Sequence, residues 1–318
     1  MENFSLWCDF IEREFLQKDF QDLLNQKAFN GATSNPAIFA NALKNPIYQE
    51  SIKAQKGKNA KLIYENLAVE DIRNAAKSLR PLWEKNRDCG YISLEIDPFL
   101  EDKVGQSIDE GKRLFKMIDF PNAMIKVPAT ESGFEVMQAL MSEDIPVNAT
   151  LIFSKDQAKN CVEAFKQGRK QKETRGVISV FVSRFDRAVD HQLPQELQSK
   201  LGIYNAQECY LDIQAFGDPY TRTLFASTGV KGGSLAKDYY IQSLLHPHSI
   251  NTAPLDTILA HLKNPQKITQ TFMPQAHLHK ELQKFESLGI SRQALSNQLL
   301  QEGLNAFKEA FEALLKSF

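Results

Sequence analysis

Asn122-Ala123-Met124-Ile125-Lys126-Val127-Pro128-Ala129-Thr130 is the stretch on which the fold of this chain turns. Apolar residues flank Lys126 on both sides, and Pro128 closes the run two residues later. A short apolar run bounded by turn formers reads as a buried strand. Desolvation disfavours the ammonium form of a lysine held in such a strand, and a neutral amine attacks carbonyl carbon to give a Schiff base. Taken alone, the stretch favours a plainer reading, a lysine at a strand end with its ammonium in solvent. The rest of the chain reverses that preference.

On either side of this run, short β-like stretches alternate with longer segments of helical period. Ser5 to Asp9 is the first strand, Gly31 to Pro36 the second and Tyr91 to Ile96 the third; the Lys126 run is the fourth. Pro146 to Phe153, Val177 to Arg184, Arg222 to Gly229 and Ser249 to Pro254 supply the remaining four. Helices are expected over Phe10 to Asn25, Ile63 to Lys85, Val104 to Ile118, Thr130 to about Met141, after Ser154 and around Lys237 to Leu245. Pro36 suits a first helical position, and Thr130 and Ser154 suit N-caps. Asp186 to Tyr220 reads as a long polar excursion, helical in part. Eight strands, each followed by a helical stretch, point to a (β/α)8 TIM barrel in one domain, residues 1–318. The runner-up is a doubly wound open sheet, but no glycine-rich fingerprint follows the first strand. From Ser291 to Phe318, Leu295, Leu299, Leu304, Phe307, Phe311 and Leu314 fall at spacings of three and four. That is an extra amphipathic C-terminal helix, residues 291–318, with no strand after it. It must pack across the barrel or against another subunit.

Composition limits the partners. Net charge is −1 and charged residues make up 24% of the 318, so no global basic excess points to nucleic acid or anionic membrane. No apolar run approaches the roughly 20 residues of a membrane helix, and the start of the chain carries no basic leader, so no secretory signal is expected. The cysteines, Cys8, Cys89, Cys161 and Cys209, stand far apart, which fits a reduced cytoplasm better than a disulfide or zinc framework. His246-Pro247-His248 and His277-Leu278-His279 are H-x-H pairs with proline in or near each. They read as packing or surface histidines, and no metal is expected.

In a barrel of this kind the reacting groups come from the C-terminal ends of several strands. Those ends carry Asp9, Asn35, Glu95, Lys126, Asn148 with Thr150, Ser179 with Arg184, and Ser227 followed by Lys231. Each has a dull explanation alone: a helix cap for Asp9, a turn for Asn35, a structural ion pair for Glu95. Together they occupy the same place in successive repeat units. The set fits carbon–carbon cleavage through a Schiff base on Lys126, with Asp9 as the base for the C4 hydroxyl. Glu95, through a water held by Thr150, would serve the exchange of water that forms the iminium. Asn35 and Asn148 suit hydroxyls, and Arg184, Ser227 and Lys231 suit a phosphate. The iminium does the polarising, so no cofactor is needed.

Ala32-Thr33-Ser34-Asn35-Pro36, Ser93-Leu94-Glu95-Ile96-Asp97, Ile125 to Thr130, Asn148 to Ser154, Ser179-Val180-Phe181-Val182-Ser183-Arg184, Ala226 to Lys231 and Asn251-Thr252-Ala253-Pro254 together resemble the transaldolase family. The resemblance runs in order from about Leu6 to Leu259. It implies a class I aldolase-like barrel with permuted strands. It also implies transfer of a dihydroxyacetone unit from sedoheptulose 7-phosphate to glyceraldehyde 3-phosphate in the non-oxidative pentose phosphate pathway. By position, Lys126 matches the Schiff-base lysine, Asp9 the acid/base aspartate, and Glu95 with Thr150 the water-holding pair. Asn35, Asn148 and Ser179 match groups around the dihydroxyacetone unit, with Phe181 of the same motif among the substrate-binding residues. Arg184 and Ser227 match phosphate contacts. Gly229 stands where many members carry arginine; the Ser-Thr-Gly-x-Lys form resembles a bacterial subfamily in which Lys231 takes that part.

The competing functions are an aldolase that releases free dihydroxyacetone, a sugar-phosphate isomerase or epimerase, and a non-catalytic binder. Glu95 and the extended C-terminus favour transfer. The expected partners are small sugar phosphates, with the chain a monomer or homodimer in the cytoplasm.

Overall fold

The apolar runs form one parallel sheet with helices packed on its outer face. A computed structural model describes residues 4–169, 173–232, 235–263 and 273–318. The chain opens with β1 (Ser5–Cys8), α1 (Arg13–Gln17), α2 (Asp19–Asn25), α3 (Pro36–Ala42), α4 (Gln49–Lys53) and α5 (Ala60–Lys85). It continues through β2 (Ile92–Glu95), α6 (Val104–Ile118), β3 (Ala123–Pro128), α7 (Glu131–Ser142), β4 (Val147–Ile152) and α8 (Lys155–Gly168). Next come β5 (Gly176–Phe181), α9 (Ser183–Val189), α10 (Leu201–Ala215), β6 (Thr221–Ala226) and α11 (Tyr239–Ser243). Last are β7 (Ser249–Ala253), α12 (Leu255–Lys263), α13 (Gln275–Ser287) and α14 (Arg292–Leu315). The sequence explains several boundaries. Pro36 opens α3 behind the Asn35 cap, while Thr130 and Ser154 accept backbone N–H groups at the starts of α7 and α8.

Seven strands pair in parallel in the order β1-β7-β6-β5-β4-β3-β2. The expected second strand, Gly31 to Pro36, is not a strand of this sheet. It contributes one residue, Ala32, which bridges Cys8 of β1 and Ile92 of β2. The Ala32 N–H donates to the Tyr91 carbonyl (2.8 Å) and the Thr33 N–H to the Cys8 carbonyl (2.9 Å). Chemistry shortens this segment. Thr33 and Ser34 turn their hydroxyls to Asp9 and to the Ser93 carbonyl, and Pro36 starts a helix at once. The sheet is curled, with its two edges tied through Ala32.

Period-two alternation divides the inside of the curl into two layers. Trp7, Tyr91, Met124, Val177 and Ile250 are buried in one apolar cluster. Two residues further along each strand segment come Asp9, Ser93, Lys126, Ser179 and Thr252. The N-terminal end of the curl is therefore filled by apolar side chains and the C-terminal end by polar ones. Ile125 and Val127 point the other way, into the larger core shared with Val136, Met137 and Leu140 of α7.

Two further expectations change, and a third is filled in. Phe10 to Asn25 breaks into α1 and α2 at Lys18. Arg184 lies in the first turn of α9 and not at a strand end. The excursion from Asp186 to Tyr220 is largely the end of α9 and all of α10, whose Leu201, Ala206, Cys209 and Ile213 are buried. Among the described residues no helix is long and apolar enough to cross a membrane.

α14 spans about 36 Å at 1.5 Å per residue. Near its start the Ser296 hydroxyl donates to the Phe153 carbonyl beyond β4 (2.9 Å). Near its end Phe311 meets Tyr64 of α5 edge-on, with centroids 5.2 Å apart, and Phe99 at 6.2 Å. Between these anchors it crosses the C-terminal ends of β4, β3 and β2.

Candidate active site

The parallel register of β2, β3 and β4 sets Glu95 beside Lys126 and Lys126 beside Asn148. Lys126 is 6% exposed. Its Nζ donates to the Ser34 carbonyl at 3.0 Å and lies 3.7 Å from Glu95 Oε1. The second distance is an ion pair and too long for a good hydrogen bond. Both Glu95 carboxylate oxygens are buried with no hydrogen-bond partner among the described residues, and so is the Thr150 hydroxyl on β4, the strand on the other side of β3. Burial pushes the Glu95 carboxyl up to about 7; Lys126 opposes the rise and Asp9 adds to it.

Asp9 follows β1 and receives a hydrogen bond from the Thr33 hydroxyl (2.6 Å), which shares a second one with Thr252 (2.7 Å). Burial raises its carboxyl, while Lys126 and the Thr33 hydrogen bond hold it back. Two carboxylates thus flank one lysine, each desolvated and each within its field.

Deeper in the same polar layer, Ser179 Oγ donates to Asn148 Oδ1 (2.7 Å), and Asn148 Nδ2 donates to Ser93 Oγ (2.9 Å). This chain of three neutral groups ties β5, β4 and β2 together and fixes the Asn148 carboxamide. Asn35 behaves in part as a turn residue: its side-chain oxygen accepts the Ile38 N–H (3.0 Å) and caps α3. Phe181 is buried against Phe153, with centroids 5.3 Å apart, and the Arg184 guanidinium carbon stands 4.9 Å from the Phe181 ring centroid.

Ser227 follows β6 in the left-handed region (φ 56°), a strained conformation for serine. Its hydroxyl pairs with that of Ser183 at the start of α9 (3.0 Å). Arg184 is the next residue, so β6 and α9 bring Ser183, Arg184 and Ser227 to one rim. Burial, then Arg187, lowers the Arg184 guanidinium, and Glu302 offsets part of that. Lys231 is exposed further along the loop and is not drawn into this group.

Taken together, a buried lysine between two carboxylates, a fixed amide–hydroxyl chain and a cationic rim can form an iminium, move a hydroxyl proton and hold an anionic tail. Over residues 6–318 the chain matches the family described as Transaldolase/Fructose-6-phosphate aldolase. It is 52% identical, across 100% of both chains, to a transaldolase of Helicobacter pylori (strain P12). It is 46% identical, again across 100% of both, to a transaldolase of Campylobacter jejuni subsp. jejuni serotype O:23/36 (strain 81-176). The chain belongs to the transaldolase/fructose-6-phosphate aldolase family.

For this family member, the sequence reading missed the supporting groups. Thr33, Ser34, Ser93 and Ser183 were visible in the quoted motifs, but which carboxylate or carbonyl each one holds depends on register across strands. Leu304 and Phe307 of α14 line the space beside Glu95 and Lys126. The helical spacing singled them out as apolar, without showing what they face. Among the described residues no group of three or more His, Cys, Asp or Glu is placed to hold a metal ion. His246 is buried beside the Tyr210 and Phe225 rings.

Proposed function

We propose that this chain is a transaldolase that passes a dihydroxyacetone unit from sedoheptulose 7-phosphate to glyceraldehyde 3-phosphate, giving erythrose 4-phosphate and fructose 6-phosphate. The observation that carries the reading is the placement of Lys126 between Glu95 and Asp9 in a desolvated polar layer. The full-length relatives named transaldolase favour transfer over the other chemistries. We read the curled sheet, tied through Ala32, as a (β/α)8 barrel of one domain, with α14 lying across its mouth.

In the forward direction Lys126 passes its ammonium proton to Glu95 beside it, and the freed amine adds to the C2 carbonyl of the donor. Glu95, with its carboxyl near neutrality, gives a proton to the departing hydroxyl, directly or through water on Thr150, and the iminium forms. Asp9 takes the C4 hydroxyl proton; the C3–C4 electron pair moves into the iminium, and the aldose product leaves. The enamine carbon then attacks the acceptor aldehyde, whose oxygen takes the proton back from Asp9. Water returns to C2 to free the ketose and the amine. Asn148, Ser179 and Asn35 hold the hydroxyls of the three-carbon unit, with Phe181 beside them. Arg184 and Ser227 hold the phosphate, with Lys231 adding charge from the loop. The unpaired Cys8, Cys89, Cys161 and Cys209 suit work in the cytoplasm.

The test is borohydride trapping. Incubation with fructose 6-phosphate, reduction and peptide mapping should place a dihydroxyacetone-sized adduct on Lys126, and Lys126→Met should form none. Added glyceraldehyde 3-phosphate should discharge the unreduced complex into a ketose phosphate. Turnover by the Lys126→Met protein, or an active wild type with no adduct, overturns the reading.

A further inference from the structure

α14 is placed so that its anchors and its contact with the site are different residues. At its N-terminal end Ser296 bonds to the Phe153 carbonyl. At Gly303 the helix comes so close to the barrel that an added Cβ would lie 2.8 Å from Leu151 Cδ2 and 3.2 Å from Arg184 Nη1. Leu151 stands up to meet it because β4 is bulged between Ala149 and Ile152, and Leu151 takes φ 60°. At the C-terminal end Phe311 is buried against Tyr64, and Lys308 pairs with Glu101. Between these anchors Leu304 and Phe307 face Glu95, Lys126, Pro36 and Pro128 across a space of about 10 Å³, close to the limit for about one water. The Phe307 ring centroid is 6.0 Å from Lys126 Nζ. Phe307 is only half-buried, unlike Phe311, so it contributes less than its neighbours to holding the helix down.

A dihydroxyacetone unit held on Lys126 has two fates. Its enamine carbon attacks an acceptor aldehyde, or that carbon takes a proton and water adds across the iminium, expelling the amine and free dihydroxyacetone. Attack on the acceptor consumes no water, so excluding water from the nitrogen side slows the second fate at this branch point without slowing formation of the new carbon–carbon bond; water is needed only afterwards, to free the ketose. We infer that Phe307, carried by α14, is the shielding residue that keeps water from the Lys126 intermediate and so sets the ratio of transfer to release. This rests on the Schiff-base reading above. Phe307 acts as a wall, taking no part in proton transfer.

The test uses the full chain with fructose 6-phosphate, with and without erythrose 4-phosphate, measuring free dihydroxyacetone against sedoheptulose 7-phosphate. Phe307→Ala should raise the ratio of release to transfer by about tenfold, equivalent to about 1.4 kcal/mol between the two barriers. Phe307→Leu should stay near the wild-type ratio. A structural role alone would lower both products together and leave their ratio unchanged. Should Phe307→Ala not fold, Phe307→Val carries the same expectation. Borohydride trapping on each variant separates the two readings. A trapped Lys126 adduct with the wild-type ratio overturns the shielding role alone, whereas an active wild type with no adduct overturns the Schiff base and the shield together.

Discussion

Replacing Glu95 with glutamine should change how stability depends on pH, by an amount the structure sets. The Glu95 carboxyl is raised from 4.5 to about 7, chiefly because burial disfavours its charge. It is 8% exposed, so solvent screening takes little from that figure. At about 1.4 kcal/mol per pH unit, the rise corresponds to about 3 kcal/mol. The folded state holds this proton more tightly than the unfolded state does. Its stabilising contribution is therefore complete below about pH 4.5 and is lost as pH climbs through about 7. Glutamine keeps the shape and cannot ionise. The variant should gain on the wild type by about 3 kcal/mol between pH 4.5 and pH 8. With about 2.1 cal/mol/K of unfolding entropy per residue, the 318 residues give about 0.7 kcal/mol/K, so the difference between the two melting temperatures should move by about 4 °C. Calorimetry or urea titration of both proteins across that range measures it. Parallel stability curves would refute the claim that Glu95 is buried at the cost of its charge. The same substitution should remove the limb near pH 7 from the dependence of kcat/KM on pH.

Asp9→Asn should still form the borohydride-trapped adduct when offered dihydroxyacetone, yet lose cleavage by about 10² to 10⁴, the range for a lost general base; normal cleavage would reassign the base. Arg184→Ala should raise KM for phosphorylated donors far more than for their unphosphorylated analogues, by about 1.5 to 3 kcal/mol for a hydrogen bond to a charged group, read from steady-state kinetics on both substrates. Gly133→Ala should cost about 3 kcal/mol or more, within the range for steric overpacking beside a core. Its Cβ would meet the Pro128 carbonyl oxygen at the end of the lysine strand, and denaturant unfolding measures the loss.

Much of this arrangement was legible because strands obey a simple period. Lys126, Glu95, Asn148 and Ser179 each sit in a short apolar run, so period two fixed which face they share once the strand was recognised. Gly31 to Pro36 was harder. Its residues match a strand end in composition, yet Thr33 and Ser34 use their side chains on neighbours and leave one bridging residue. Arg184 was misplaced by a step because an apolar run gives no sign of where a strand gives way to a helix when the helix starts immediately. Asp186 to Tyr220, read as helical in part, is so in α9 and α10, but its polarity hid how much of α10 is buried. α10 buries Asn205 and Gln207 along with Leu201, Ala206, Cys209 and Ile213, so polar composition does not mark what it exposes. Nothing in single-strand patterns could reveal that the Thr33 hydroxyl serves Asp9, since that contact joins residues 24 apart in sequence.

The most distant piece of sequence bears on the chemistry at the centre. Glu95 is raised first by burial, and the side chains that share its small enclosed space include Leu304 and Phe307. The same wall that keeps water from the lysine thus also keeps it from the carboxyl. Water exclusion and acid strength then share a wall to which α14 contributes Leu304 and Phe307. Removing the Phe307 ring admits solvent, solvent favours the carboxylate, and the Glu95 carboxyl falls from about 7 toward its ordinary 4.5. In Phe307→Ala the upper limb of the pH profile should therefore shift to lower pH in the same protein whose release of dihydroxyacetone rises. Near neutral pH the proton needed to expel hydroxide from C2 becomes scarcer, so formation of the iminium slows there while its hydrolysis by admitted water speeds up. A pH profile of trapping and of release, taken on one set of samples, measures both. If release rises while the limb stays near pH 7, Phe307 shields the lysine without setting the acid, and the burial of Glu95 must come from Pro36, Ile96 and Pro128 on the opposite side of the same space.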